Sequence, residues 1–157
     1  LYLIGKKQRK VFPDRCFDAA DISAEALDTA RENCRALGAQ VRLIHSDLFE
    51  RIEGSYDMIV SNPPYIRRGV IEGLQEEVRL HDPYIALDGH EDGLYFYRRI
   101  ADEAGRHLKW GGWVLLEIGH DQSKDVSRLL AEAGFTCIQG KKDLAGLDRV
   151  VMGMYNK

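Results

Sequence analysis

Two consecutive prolines, Pro63 and Pro64, follow directly on the run Tyr56-Asp57-Met58-Ile59-Val60-Ser61. That run is short, apolar at its centre and bounded by polar residues, the pattern of a buried strand. Neither proline offers an N–H to a sheet, and each pushes the residue before it toward extended geometry. The strand must therefore stop, and Asn62 is presented at its carboxyl end, where open parallel α/β sheets bind ligands. The Asn62 side chain offers both a carbonyl acceptor and an amide donor. Taken alone, Asn-Pro-Pro reads first as turn punctuation. Its surroundings decide between the two.

Strand and helix signals alternate along the chain. Arg15 to Ala20 reads as a strand closed by Asp21, with Ser23 as helix N-cap. Ala24, Leu27, Ala30, Cys34 and Leu37 then recur at helical spacing up to Gly38 at the stop position. Val41 to His45 is a second strand leading into Ser46-Asp47-Leu48-Phe49. Beyond the prolines, residues 66–90 show no clean period; a long loop beside a site often acts as a lid, with Glu77 and Arg79 as its lid or anchoring residues. Leu94, Tyr97, Ile100, Ala101, Ala104 and Leu108 mark an amphipathic helix, whose aromatics Tyr95, Phe96 and Tyr97 read as core and helix contacts. Trp110-Gly111-Gly112 reads as a turn, and Trp113 to Ile118 as a central strand. Asp121 is the expected cap of the next helix, with Val126, Leu129, Leu130 and Ala133 on the sheet and Gly134 at its end. Phe135 to Gln139 and Arg149 to Tyr155 form a closing antiparallel pair. The pattern predicts an α/β domain, a doubly wound sheet with an antiparallel last strand, spanning residues 1–157 as one domain.

A chain of 157 residues has room for one domain with a real core, and 45% hydrophobic with 30% charged residues suits a soluble globular protein. No apolar run reaches membrane-spanning length, and no signal-peptide pattern opens the chain. With 22 basic against 25 acidic residues, affinity built on many phosphate contacts is disfavoured. Cys16, Cys34 and Cys137 are odd in number and widely spaced, which reads as buried reduced thiols in a cytoplasmic protein and argues against a metal site. His81-Asp82 and His90-Glu91 read as solvated loop positions rather than ligands.

The motifs together resemble the HemK/PrmC family of S-adenosylmethionine-dependent glutamine N5-methyltransferases, which act on peptide chain release factors. The resemblance is carried by Val60-Ser61-Asn62-Pro63-Pro64-Tyr65-Ile66, Ala20-Asp21-Ile22-Ser23, Ser46-Asp47-Leu48-Phe49 and Ala86-Leu87-Asp88-Gly89 with Asp92-Gly93-Leu94. Gly111-Gly112-Trp113, Leu116-Glu117-Ile118-Gly119, Asp143-Leu144-Ala145-Gly146 and Asp148-Arg149-Val150 continue it to the end. It implies a class I methyltransferase sheet in which Asp21 and Ile22 meet the cofactor ribose. Asp47 and Leu48 would flank the adenine, Leu48 standing where many relatives have an aromatic ring. It further implies that Asn62, Pro63, Pro64 and Tyr65 hold the substrate amide, with S-adenosyl-L-homocysteine as product, and that Asn62 also borders the cofactor. The chain departs from the family at its start. Gly5 is the sole glycine before Gly38, so the glycine-rich cofactor loop and the first strand are expected to be missing. Leu1 to Ile4 is then what remains of the helix after that loop, and Lys6-Lys7-Gln8-Arg9-Lys10 a short solvated stretch.

Two other readings follow from the same residues. Adenine-N6 and guanine-N2 nucleic-acid methyltransferases share the tetrapeptide, but a basic face and a recognition insertion are not evident. The other is a non-catalytic, N-terminally truncated piece of a longer enzyme, completed by more chain or by a second copy of itself.

Overall fold

The computed structural model describes residues 17–71, 73 and 84–157. The chain forms two compact units, Leu1–Gly54 and Ser55–Lys157.

In the first unit, strand β1 (Asp18–Asp21) pairs in parallel with β2 (Arg42–His45), Asp21 opposite His45. Helix α1 (Ala24–Leu37) connects them. Its ends are where the residue types put them: the Ser23 hydroxyl accepts the Ala26 N–H at 3.1 Å, and Gly38 closes the helix at φ 59°. Only glycine takes that left-handed turn without a Cβ penalty. Leu27, Ala30 and Cys34 are its buried stripe.

The second unit holds β3 (Tyr56–Ser61), the short helices α2 (Arg68–Ile71) and α3 (Tyr84–Leu87), and helix α4 (Tyr95–Ala104). Strand β4 (Leu108–Glu117), helix α5 (Ser123–Glu132), and strands β5 (Phe135–Lys142) and β6 (Asp148–Tyr155) follow. The sheet order is β3-β4-β6-β5, parallel between β3 and β4 and antiparallel elsewhere. Val114, Leu116, Ile118 and Val151 are fully buried, as are Tyr97 and Ile100 of α4 and Val126 and Leu130 of α5. The α/β class and the antiparallel closing pair are as expected, although the described strands lie in two sheets.

Four details differ from the sequence reading. Helix α4 ends at Ala104, one 3-10 turn covers Gly105–His107, and Leu108 opens β4 rather than closing the helix. Trp110-Gly111-Gly112 is a bulge within β4: the register jumps from Tyr56↔Leu108 to Met58↔Trp113, Gly111 sits at φ 77°, and Trp110 is left 80% exposed. Asp121 does not cap α5; its carboxylate pairs with Arg67 at 3.3 Å, and the N-cap position is Gln122. Cys34 is buried but Cys137 is exposed, because it occupies a bulge of strand β5 at φ 51°. Cys16, Glu77, Arg79 and His81-Asp82 lie outside the described residues, as do residues 1–14.

Both tryptophans belong to the second unit, so their fluorescence reports its unfolding. Leu130→Ala is expected to lower its urea unfolding free energy by about 2–5 kcal/mol, the usual range for an uncollapsed core cavity. A loss below about 1 kcal/mol would contradict the packing of α5 on the sheet.

Candidate active site

At the carboxyl ends of β1 and β2, the first unit brings its four sequence-predicted residues together. The Ser46 N–H donates to the Asp21 carbonyl at 3.0 Å, which locks the two strand exits side by side. One Asp21 oxygen accepts the Ser23 N–H at 2.8 Å, so the acid does serve the helix start. A carboxylate has further acceptor positions, and this one is half-buried. Ile22 beside it is 49% exposed. Buried Ser46 shapes the next turn: its hydroxyl donates to the Leu48 carbonyl at 3.1 Å and accepts the Arg51 N–H at 3.0 Å. Leu48 is held at φ 47°, a conformation that residues with a Cβ adopt rarely and that local bonding must stabilise. The result is a carboxylate at each strand exit with an apolar side chain next to it.

In the second unit, β3 delivers the Asn-Pro-Pro-Tyr loop. Asn62 is exposed, Pro63 buried, and Pro64 and Tyr65 half-buried. The loop is tied down at its exit. Ile66 N–H donates to the Leu87 carbonyl (3.1 Å), Gly89 N–H to the Ile66 carbonyl (2.8 Å) and Arg68 N–H to the His90 carbonyl (2.9 Å). Together they make a parallel bridge between Ile66 and Asp88, inside what reads in the sequence as a featureless loop. Glycine is required on the second segment. A Cβ on Gly89 would lie 2.8 Å from the Tyr65 backbone, and one on Gly93, at φ 73°, 2.5 Å from the Tyr65 carbonyl oxygen.

Charged pairs brace the same segment. Arg68 donates to Asp88 Oδ2 from Nε (3.1 Å) and Nη2 (2.8 Å), while Asp88 Oδ1 accepts the His90 N–H (2.9 Å). The Arg68 hydrogen bond holds the Asp88 carboxyl below the usual range, and burial opposes it. Asp92 accepts from Arg98 at 2.8 and 3.1 Å and from the Leu94 N–H at 3.0 Å, and its pKa falls to about 2. The His90 ring lies 4.1 Å from that of Tyr95, so Tyr95 packs on this segment while Tyr97 goes to the core. The Tyr97 hydroxyl donates to the Glu117 carbonyl at 2.8 Å, and burial raises its pKa. Sequence reasoning missed Gln122, one of two buried polar side chains among the described residues, which reaches Tyr65, Gly93 and Gly119. Among the described residues no group of three His, Cys, Asp or Glu side chains could hold a metal ion, and no helix is long and apolar enough to cross a membrane.

Comparison with known proteins fits this geometry. The family model for the Methyltransferase small domain matches residues 3–78. A methyltransferase from Pyrococcus furiosus superposes with a TM-score of 0.69 over 96% of this chain and 68% of its own, at 19% identity. A ribosomal protein L11 methylase from Lactobacillus delbrueckii does so at 0.63 over 91% of this chain and 59% of its own, also at 19% identity. The fold is the α/β methyltransferase fold of these solved structures. In sequence the chain is 51% identical over 134 residues to the release factor glutamine methyltransferase of Agrobacterium fabrum, covering 84% of this chain and 46% of that protein. It is 48% identical over 139 residues to the one of Caulobacter vibrioides, covering 87% and 48%. In sequence the chain resembles the release factor glutamine methyltransferases, as its motifs imply. It spans about half the length of these relatives.

The Asp92 pair fixes a pH response. Its lowered carboxyl contributes stability that is complete above the usual aspartate pKa of about 4 and is lost as pH falls toward about 2. Asp88 and Asp143, also lowered, contribute with the same sign. Urea midpoints followed by tryptophan fluorescence should therefore fall across this window, less steeply in Asp92→Asn. Because the Asp92 side chain is 49% exposed, solvent screening keeps its share small. An unchanged slope in the variant would contradict the assignment.

Proposed function

We propose that this chain carries the methyl-transfer site of a release factor glutamine methyltransferase, its two units being parts of one methyltransferase domain. The observation that carries the proposal is the exposed Asn62 at the carboxyl end of β3, followed by buried Pro63, in a chain 40–51% identical to enzymes of that name. The site residues fit the nucleoside end of S-adenosylmethionine: Asp21 accepts from the ribose hydroxyls, Ile22 packs beside them, and Asp47 and Leu48 meet the adenine amine and ring. When bound, that cofactor supplies an electrophilic methyl group on a sulfonium sulfur.

The chain's own task is to position an amide, whose nitrogen is a poor nucleophile because its lone pair is delocalised into the carbonyl. Asn62 Oδ1 and the Pro63 carbonyl accept the two N–H bonds of the substrate glutamine, which orients the nitrogen and strips it of water. Holding reactants in attack geometry is worth about 7–11 kcal/mol at best. The same acceptors stabilise the positive charge that develops on nitrogen as its bond to carbon forms and the carbon–sulfur bond breaks. Once methylated, the nitrogen is acidic and releases its proton without a strong base. Pro64 stiffens the loop, and Tyr65 packs against the substrate side chain. A release-factor substrate supports a cytoplasmic location, beside the translation machinery.

Methyl transfer from labelled S-adenosylmethionine to a release-factor glutamine tests the proposal. Asn62→Ala is expected to lower kcat by about 10²–10³-fold, the cost of losing one preorganised partner of a developing charge. Asp21→Ala should weaken S-adenosylhomocysteine binding by about 10–100-fold, in line with the loss of charge-assisted hydrogen bonds. Full activity in Asn62→Ala would overturn the assignment of the site.

A further inference from the structure

Gln122 is 3% exposed and sits at the N-cap of α5, where three separate segments meet. Its Oε1 accepts the Gly119 N–H at 2.9 Å, at the exit of β4. Its Nε2 donates to the Tyr65 carbonyl and to the Gly93 carbonyl, each at 3.1 Å. This arrangement uses both amide donors and fixes the orientation of the group, since the flipped amide would set its oxygen against two carbonyl oxygens. The Gly93 Cβ position lies 2.7 Å from the same Nε2, so glycine there is what lets the amide in.

The Asn-Pro-Pro-Tyr loop has an unusual need for such an anchor. Its entry is fixed by the β3–β4 ladder, where Ser61 lies opposite Leu116. Pro63 and Pro64 have no N–H to give, so no ladder can continue through the loop. The next fixed points are the Tyr65 carbonyl, bonded to Gln122, and the Ile66 N–H, bonded to Leu87.

We propose that Gln122 is a positioning residue for the methyl-transfer site: by holding the Tyr65 carbonyl against Gly93 and the β4 exit, it sets where the Asn62 and Pro63 acceptors stand. Gln122 touches neither substrate nor cofactor in this role. The loop is a short span between two clamps, and Gln122 is the clamp on its far side. The kinetic part of this inference rests on the proposed glutamine methylation; the structural part does not.

Two variants and two readouts test it. Gln122→Met keeps the size and removes all three bonds. Gln122→Glu keeps the acceptor for Gly119 and removes both amide donors. Hydrogen exchange of the Ile66 and Gly89 amides, which bridge the loop exit, is expected to quicken by about 10–100-fold in Gln122→Met relative to the Leu115 and Val151 amides of the sheet. In the transfer assay kcat should fall over the same range, with KM for the glutamine substrate changed by less than about 3-fold.

Gln122→Glu carries a signature that loss of stability alone does not produce. Burial beside two carbonyl oxygens raises the pKa of the introduced carboxyl. Its protonated form donates to one carbonyl and its ionised form to none. Its kcat should accordingly fall as pH rises, through a step absent from the wild type and from Gln122→Met. Unchanged exchange at Ile66 and Gly89 in folded Gln122→Met overturns the proposal, as does a Gln122→Glu pH profile that follows the wild type. A wild-type chain that does not methylate glutamine, with exchange at those amides still quickened in Gln122→Met, defeats the functional reading and leaves the clamp standing.

Discussion

A loop without backbone donors cannot be held by a sheet. Pro63 and Pro64 impose that condition directly after β3, and much of the second unit's architecture answers it. The Ile66–Asp88 bridge, the close approach of Gly89 and Gly93, and the Arg68–Asp88 pair all grip the chain just past the prolines. Gln122 adds a grip from the α5 side. Asn62 itself needs no internal partner to be placed, because the residues on both sides of the loop are fixed for it. Its side chain is exposed at the carboxyl end of β3.

The first unit solves a simpler problem with the same logic. Parallel pairing sets the exits of β1 and β2 side by side, and buried Ser46 bends the second exit so that Leu48 takes a left-handed conformation. Asp21 is shared between the start of α1 and the proposed ribose site, which is chemically consistent because a carboxylate accepts several hydrogen bonds. The N–H of Ser23 and a ribose hydroxyl ask the same thing of it.

What the sequence made legible was local. The Ser23 cap, the Gly38 stop, the strand ahead of the prolines and the antiparallel closing pair each follow from a few neighbouring residues, and the structure places them accordingly, although that strand is not the buried one its apolar run suggests: Met58 and Val60 are exposed. What escaped depends on partners far along the chain. Asp121 looked like a cap because it precedes a helix, yet Arg67 takes its carboxylate. Leu108 continues the helical spacing, but one 3-10 turn sends it into β4. Trp110-Gly111-Gly112 carries turn residues that a glycine at φ 77° turns into a bulge instead. Gln122 carries no local signal at all: its partners Tyr65 and Gly93 lie 57 and 29 residues away. The candidate residues named from the motifs lie at strand exits, where sequence pattern and topology coincide.

The most direct test of the account is the structure of this protein with S-adenosylhomocysteine and a glutamine-containing release-factor peptide. The account predicts the glutamine amide nitrogen within hydrogen-bond distance of both Asn62 Oδ1 and the Pro63 carbonyl, with Tyr65 against the glutamine side chain. A bound peptide whose amide lies away from Asn62 and Pro63 would contradict it.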